Sequence, residues 1–338
     1  MMKPEKGKTY FQIVKNQYRK NKLALLGFYL VIFLFTIALV ADFLANDKPL
    51  LCKYDGHYYS PVVKEYFVKM ELTKWQPFFL NVEWKELEFD SVVWAPVPFR
   101  PSNLDFSSRF KPPGVNGHIL GTDQLGRDVL SGMIHGTRIA LLVGFVSMSI
   151  AIMIGVILGA LAGYLGGIID VIIQRMIEIM ITIPTFFLII TVVAFYPQGG
   201  IWMIMVVIGV TGWTSIARYT RAEFLKTRNQ DYVTAAIALG YSNIRTIFKH
   251  VLPNAVAPVM VSAAFGIASA ILIESSLSFL GFGVSATTVS WGSILSVARG
   301  ATYAWWLAVF PGLAIFISVT TYNLVGEGLR DALDPRLK

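Results

Sequence analysis

Charged residues are scarce in this sequence. Asp, Glu, Lys and Arg together make up 15% of the 338 residues, whereas hydrophobic residues make up 55%. Soluble domains carry about 25% charged residues, so this shortage excludes an ordinary soluble globular domain. The mean hydropathy of +0.58 points the same way, and the composition predicts an integral membrane protein.

Cysteine and histidine are also rare. Cys52 is the single cysteine, which excludes an intrachain disulfide and a cysteine-based metal site. The histidines are His57, His118, His135 and His250, and their wide spacing predicts no metal centre. No pairing of a nucleophile with a base is visible. We therefore expect no catalytic residue, no bound metal and no enzymatic activity in this chain.

The sequence contains no complete phosphate-binding loop. Gly7-Lys8-Thr9 matches the end of the G-x-x-x-x-G-K-[ST] motif, but the first glycine of the motif would fall on Met2. The net charge of +8 is spread over membrane-flanking positions instead of lying on one compact domain. The chain itself is therefore expected to bind no ATP or other cofactor and no nucleic acid.

Long apolar runs are abundant instead. A helix needs about 20 apolar residues to cross a bilayer. A signal peptide would have an apolar core of about 7–15 residues, so the longer first run predicts a membrane anchor. The sequence therefore predicts an all-α integral membrane protein with six transmembrane helices in contact with lipid: Leu23–Leu44, Ile139–Tyr164, Ile177–Tyr196, Ile201–Tyr219, Ala255–Leu280 and Trp305–Val325.

The distribution of basic residues predicts the orientation. Residues 1–22 carry seven Lys and Arg against one acidic residue. The connections after the second and fourth helices, counted together with Arg218 at the end of the fourth helix, hold seven Lys and Arg, the third connection holds none, and the fifth holds only Arg299. Because short basic segments stay inside, residues 1–22 and 328–338 are predicted to be cytoplasmic tails.

Residues 45–136 differ from the rest of the chain, being polar, aromatic and rich in proline. The orientation places this loop outside. It is too long for a simple connection, so it is predicted to be a small folded insertion. Two roles remain open for it, contact with an external partner and a structural collar on the membrane helices.

Two features bear on helix packing. Ala151, Gly155, Gly159 and Gly163 recur at a spacing of four, which places small residues on one helix face and predicts close approach of another helix. Pro184 predicts a kink within the third membrane helix.

A polar island, Asp231–Pro253, separates two apolar segments. Asp231 is expected to cap a first helix, and Gly240 to end it in the left-handed conformation. Ser242 is expected to cap a second helix, which Pro253 would end. This pattern predicts two short helices around a glycine, forming either a docking element or an amphipathic hairpin on the lipid surface.

The same island resembles the EAA loop of binding-protein-dependent ABC importers. The matching residues are Ala235, Ala236, Gly240, Leu252 and Pro253. Two positions depart from the family pattern: Thr234 stands where the family usually has Glu, and His250 stands where it usually has Ile. The resemblance implies a cytoplasmic coupling hairpin, Asp231–Pro253, that docks into a separate ATPase.

A second segment resembles the signature H-x-L-G-T-D-x-x-G-R-D-x-x-S of dipeptide and oligopeptide permeases. It runs from His118 to Ser131 and contains Gly121, Thr122, Asp123, Gly126, Arg127 and Asp128. Thr122 and Asp123 are expected to cap a turn, and Arg127 to pair with a nearby carboxylate. Nothing in the spacing predicts that Asp123 and Asp128 are a catalytic pair.

The run that begins Glu274-Ser275-Ser276 matches the same permeases, as do Gly328, Arg330 and Asp331 near the C-terminus. An ionisable residue inside a membrane helix is a candidate for function. Glu274 is therefore expected either to act in a transport path or to serve a structural role. An alternative function, a secondary transporter driven by an ion gradient, would depend on Glu274.

Together these resemblances imply one subunit of a peptide importer in the bacterial inner membrane, with the type I permease fold. They imply a second permease, cytoplasmic ATPase subunits that hold ATP and Mg²⁺, and an external peptide-binding protein. Residues 137–327 would form the permease core. The outer loop is similar to that of the YejE-type branch, associated with oligopeptides and microcin C, on these segments: Asn46–Leu51, Tyr54–Gly56 and Trp94–Pro96.

Overall fold

A computed structural model describes residues 10–80, 82–196, 199–283 and 288–333. Parts of five predicted segments lie outside these ranges. They are residues 1–9 of the basic tail, residue 81 of the insertion, residues 197–198 of an outer turn, residues 284–287 of the fifth connection, and residues 334–338 of the C-terminal tail.

The described chain is mostly helical. Its helices are α1 (Tyr10–Lys20), α2 (Lys22–Leu44), α3 (Pro61–Lys69), α4 (Val129–Leu165), α5 (Gly167–Thr182), α6 (Thr185–Phe195), α7 (Gly200–Thr227), α8 (Asp231–Ala238), α9 (Asn243–Thr246), α10 (Leu252–Leu280), α11 (Trp291–Val297) and α12 (Trp306–Leu333). Five of them are long and apolar enough to cross a membrane, and the α5–α6 pair brings the number to six if it counts as one span.

The third span differs from the prediction of one kinked helix over Ile177–Tyr196. The axes of α5 and α6 are bent by 80°, and α5 already begins in the segment expected to be a short connection. The break falls at Ile183 and Pro184, where the backbone of Ile183 is extended. A residue before proline is forced out of the helical region, and proline has no N–H to donate, so the helix stops here.

The second span also begins earlier than predicted. Helix α4 starts at Val129 rather than Ile139, so residues 129–136 belong to this helix and not to the preceding loop. The Asp128 carboxylate accepts a hydrogen bond from the backbone N–H of Ser131 at 2.7 Å. This is the position of an N-cap, which satisfies one of the free N–H groups of the first turn.

The chain divides into two compact units. The first contains Met1–Ile32, Leu142–Glu274 and Phe316–Lys338. Within it the predicted small-residue face of α4 packs against α7. A Cβ added at Gly155 would lie 2.6 Å from the Ile216 Cβ, and one at Gly163 would lie 2.6 Å from the Phe224 Cβ. The missing side chains therefore allow the two helices to approach closely.

The second unit contains Phe33–Leu141 and Ser275–Ile315. It includes a three-stranded antiparallel sheet of β1 (Leu51–Tyr54), β2 (His57–Tyr59) and β3 (Ser91–Val93), in the order β2-β1-β3. Cys52 lies opposite Tyr59 on one side and Val92 on the other. Its side chain is buried, and burial raises the pKa of the thiol to about 11, so Cys52 is protonated and unreactive at neutral pH.

Aromatic rings and one half-buried carboxylate hold this unit together. Phe79 packs against Trp84 and Tyr59, with ring centroids 4.8 and 5.2 Å away. The Glu65 carboxylate on α3 forms ion pairs with Lys48 Nζ at 2.8 Å and with Arg100 Nη2 at 2.7 Å. Because these partners come from distant parts of residues 45–100, the contacts make this segment a folded body rather than an open loop.

Candidate functional site

The polar island folds as a helical hairpin. Helices α8 and α9 are joined around Gly240, whose φ is +82°, as the sequence predicts. Ser242 caps α9 by accepting a hydrogen bond from the Arg245 N–H at 3.4 Å. Asp231 is not the N-cap of α8. That position belongs to Gln230, with no side-chain hydrogen bond, and Asp231 is the first helical residue, where its charge still complements the helix dipole.

Pro253 does not end the second helix as predicted. A π-helical turn, Ile247–Val251, joins α9 to α10, and Pro253 is the second residue of α10. The Leu252 N–H bonds to the carbonyl of Ile247, one residue further back than in an α-helix. Proline is tolerated in the first turn of a helix, and the wider π turn before it lets the hairpin continue directly into the membrane helix.

The inner face of the hairpin is anchored. Val233 and Val251 are fully buried and form one apolar cluster with Phe224 on α7 and Ala255 on α10. Tyr164, near the end of α4, donates a hydrogen bond from its hydroxyl to the Asn243 side chain at 3.2 Å. The hairpin is therefore joined to the ends of three long helices.

The outer face of the hairpin exposes large apolar side chains. Leu239 is 77% exposed, Ile244 is 71% exposed and Phe248 is 66% exposed. The motif residues Thr234 and Ala235 are exposed as well, and the Thr234 hydroxyl only bonds the carbonyl of Gln230. Clustered exposed apolar side chains on a polar segment are typical of a protein contact surface.

His250, the second departure from the family pattern, belongs to a stack. The His250 ring stacks on the Tyr241 ring, with centroids 5.8 Å apart. The Arg245 guanidinium lies over the same Tyr241 ring, 4.2 Å from its centroid. An isoleucine at position 250 would lose the aromatic contact. The stack therefore links both sides of the Gly240 turn and braces it.

The permease signature forms a tight structural junction. The Asp123 carboxylate is almost fully buried and pairs with Arg127 at 2.6 Å, the ion pair that the sequence predicts. The same carboxylate accepts the backbone N–H groups of Leu125 and Arg127 at 2.8 and 3.0 Å. The Thr122 hydroxyl accepts the Lys111 N–H at 2.8 Å. These contacts satisfy the polar groups of the turn and leave no nucleophile exposed among them.

The two glycines of the signature are required by close backbone contacts. Gly121 has a φ of +80°, and an added Cβ would lie 2.6 Å from the Lys111 carbonyl oxygen. Gly126 has a φ of +75°, and an added Cβ would overlap the Asp105 carbonyl oxygen. The Trp306 indole N–H donates to the Thr122 carbonyl at 3.0 Å. This junction therefore ties the start of α4 to the start of α12.

Glu274 is buried within α10, with 1% of its surface exposed, and does not extend to the surface. Ser275 is buried too, and Ser276 is half-buried. An added Cβ at Gly292 of α11 would lie 2.6 Å from the Ser275 carbonyl oxygen. Ser275 is therefore a close packing position for α11.

Sequence reasoning missed a set of hydroxyl side chains on α7 and α10. Thr211, Ser215 and Tyr219 recur at a spacing of four and line one cavity together with Ser262 and Ser269. The spacing on α7 was visible in the sequence, but the contribution of α10 was not. Across the described ranges, no group of three or more His, Cys, Asp and Glu side chains is arranged to hold a metal ion.

Comparisons with known proteins agree on one family. Residues 155–338 match the family described as binding-protein-dependent transport system inner membrane component. Residues 9–60 match the N-terminal transmembrane domain of oligopeptide transport permease C.

Individual relatives extend the match over most of the chain. The inner membrane ABC transporter permease protein YejE of Escherichia coli K12 is 36% identical, over 94% of this chain and 95% of the relative. The dipeptide transport system permease protein DppC of the same organism is 42% identical, over 71% of this chain and 82% of the relative.

A solved structure shows the same fold. A chain from the inward-facing MetNI methionine ABC transporter aligns with a TM-score of 0.50 at 18% identity, over 60% of this chain and 97% of that chain. At this identity the likeness shows the fold alone, which is that of an importer permease.

Proposed function

Because this chain belongs to the binding-protein-dependent transport system inner membrane components, a family of multi-pass transport subunits and not of enzymes, we propose that it forms part of the path by which oligopeptides or peptide-like compounds enter the cell. The names of its relatives support peptides as the cargo. None of the comparisons supports the alternative of an ion-driven transporter that uses Glu274.

The proposed assembly contains a second permease, one or two cytoplasmic ATPase subunits and an external peptide-binding protein. ATP and Mg²⁺ would be held by the ATPase. Both termini and the hairpin Asp231–Pro253 would lie in the cytoplasm, and residues 45–136 would lie outside, where the binding protein releases its cargo. The distribution of Lys and Arg supports this orientation.

The observation that carries the proposal is the two-sided construction of the hairpin. Its outer face exposes Leu239, Ile244 and Phe248, while its inner face is anchored by Val233 and Val251. A docked ATPase that changes shape on binding ATP would therefore pull on α4, α7 and α10 through buried contacts. The nucleotide energy would reach this chain as a difference in affinity between two conformations.

Co-purification of the ATPase from mild detergent tests this role. Ile244→Asp and Phe248→Asp place charges on the exposed face without entering the core, so they should abolish ATPase binding and peptide uptake while the chain remains in the membrane. Leu72→Asp is the matched control, because Leu72 is 70% exposed and lies in the insertion instead. Normal ATPase recovery with both hairpin variants would refute docking at this face.

A further inference from the structure

A cavity of about 500 Å³ lies within the first compact unit, between the membrane helices α4, α7 and α10 and the first residue of α6. Pockets of roughly 300–1,000 Å³ hold small ligands, so this volume suits a short peptide segment. None of its lining residues in the described chain is Asp, Glu, Lys, Arg or His. We call this cavity the hydroxyl chamber, since its polar walls are made of Ser, Thr and Tyr.

Part of the hydroxyl lining is already satisfied within the helices. The Ser147 hydroxyl donates to the Met205 carbonyl at 2.8 Å, the Thr211 hydroxyl to the Val207 carbonyl at 2.9 Å, and the Ser262 hydroxyl to the Pro258 carbonyl at 3.0 Å. These three groups stabilise the walls.

The remaining hydroxyls have no hydrogen-bond partner among the described residues. Ser215 and Ser269 are exposed and lie near the middle of α7 and α10, Thr214 is half-buried beside Ser215, and Thr185 is exposed at the start of α6. Unpaired polar groups at this depth are costly against lipid and are tolerated where they line a water-filled cavity. These unpaired hydroxyls therefore favour a water-filled chamber over one that opens onto acyl chains.

The broken third span places the start of a helix at the same wall. Helix α6 begins at Thr185, which lines the chamber, and its N-cap residue Pro184 supplies no side-chain hydrogen bond. The first N–H groups of an uncapped helix have no acceptor within the helix. The carbonyl oxygens of a ligand would supply such acceptors.

We propose that the hydroxyl chamber is this subunit's wall of the translocation path and that it binds the peptide main chain rather than the side chains. This inference rests on the proposed transport function. Hydroxyl and N–H groups match the amide N–H and C=O groups that every peptide carries. Because the chamber wall has no ionisable side chain apart from the Tyr219 phenol, it does not select peptides by charge.

Cysteine labelling tests the water-filled chamber. In a Cys52→Ala background, Ser215→Cys and Ser269→Cys are treated with a charged methanethiosulfonate reagent in vesicles that contain the whole complex. Val206→Cys is the matched control, because Val206 is also exposed on α7 but lies on the opposite face of the helix from Ser215. The two residues are nine positions apart, which corresponds to a rotation of about 180°. Both chamber cysteines should react and be protected by trialanine, and the control should not react.

Charge introduction tests the substrate class. For each complex, the uptake of a Lys-containing tripeptide is divided by the uptake of a Glu-containing tripeptide. The ratio in each variant is then compared with the ratio in the wild-type complex, so that the preference of the binding protein cancels. Ser269→Asp should shift this ratio toward the Lys-containing peptide by about tenfold, the equivalent of about 1.4 kcal/mol. The neutral, similarly sized Ser269→Asn should leave the ratio unchanged.

The outcomes separate the two proposals. Normal uptake with unreactive cysteines at positions 215 and 269 overturns the chamber and indicates that a companion helix fills the cavity. An unchanged ratio in Ser269→Asp overturns the passage of peptides along this wall. If the cysteines at positions 215 and 269 react but the wild-type complex takes up neither peptide, the peptide assignment and the proposed function are overturned together.

Discussion

The His118 imidazole and the Asp128 carboxylate form a buried pair, with Nδ1 and Oδ2 2.8 Å apart. The other oxygen of Asp128 caps α4 through the Ser131 N–H. One side chain therefore joins the signature loop to the first turn of a membrane helix. Phe99 stacks on the His118 ring at 4.2 Å and closes the pair from one side.

Removing this carboxylate should destabilise the second unit. Asp128→Ala loses the cap, worth about 0.5–2 kcal/mol, and leaves His118 buried without its partner, at a cost of roughly 1–3 kcal/mol. Asp128→Asn keeps an acceptor for the Ser131 N–H and should retain most of the cap. Thermal unfolding of the purified protein should therefore rank wild type above Asn and Asn above Ala. Equal losses for the two variants would contradict the double role.

The Glu65 carboxylate, whose side chain is 12% exposed, predicts a dependence of stability on pH. Burial alone would raise the pKa of Glu65, but the hydrogen bond and charge of Lys48 together with Arg100 outweigh it and lower the pKa to about 2. A depressed pKa stabilises the folded state above the unfolded pKa of about 4.5. That contribution, up to roughly 3 kcal/mol, is lost as the pH falls from about 4.5 to about 2.

Tryptophan fluorescence of the whole protein in detergent should follow this loss, because Trp75 and Trp84 lie in the same insertion, with ring centroids 5.7 Å apart. Glu65→Gln removes the titrating group, so it should be less stable at neutral pH and show a weaker acid dependence over this range. An unchanged acid transition in Glu65→Gln would show that other carboxylates control it.

Close packing of α4 against α7 should be sensitive to volume. A Cβ added at Gly159 would lie 2.5 Å from the Ala217 carbonyl oxygen and 2.7 Å from the Thr220 Cβ. Gly159→Ala should therefore destabilise the protein by about 1–3 kcal/mol. Gly312→Ala is the control on α12, where an added Cβ would meet nothing within 4 Å. The yield of monodisperse protein and its melting temperature should fall only for the first variant.

Position 240 in the turn of the hairpin requires glycine because of its backbone conformation, and not because a side chain there would clash. Gly240 has a φ of +82°, and an added Cβ would meet nothing within 4 Å. Gly240→Val should abolish uptake while leaving membrane insertion intact, because a β-branched residue resists positive φ. Gly240→Asn should keep most of the uptake, since asparagine tolerates the left-handed region. Normal uptake with the valine variant would count against coupling through this turn.

The membrane class and the main helices could be predicted because they follow from local properties. Apolar length identified the segments around α2, α4, α7, α10 and α12, and a glycine after an alanine-rich run predicted the positive φ of Gly240. The boundaries were less certain, because Asp128 starts α4 by a cap that the hydrophobic run does not reveal. Pro184 predicted a disturbance of the helix, but not a bend of 80°.

The sequence by itself determined that this chain is a membrane permease with a two-helix hairpin, since run length, charge bias and motif spacing are properties of neighbouring residues. Only the tertiary structure decided which hydroxyls share a chamber, that Asp128 both caps α4 and pairs with His118, and that Val233 and Val251 anchor the hairpin. These relationships depend on contacts between residues far apart in the chain, and no local pattern specifies such contacts.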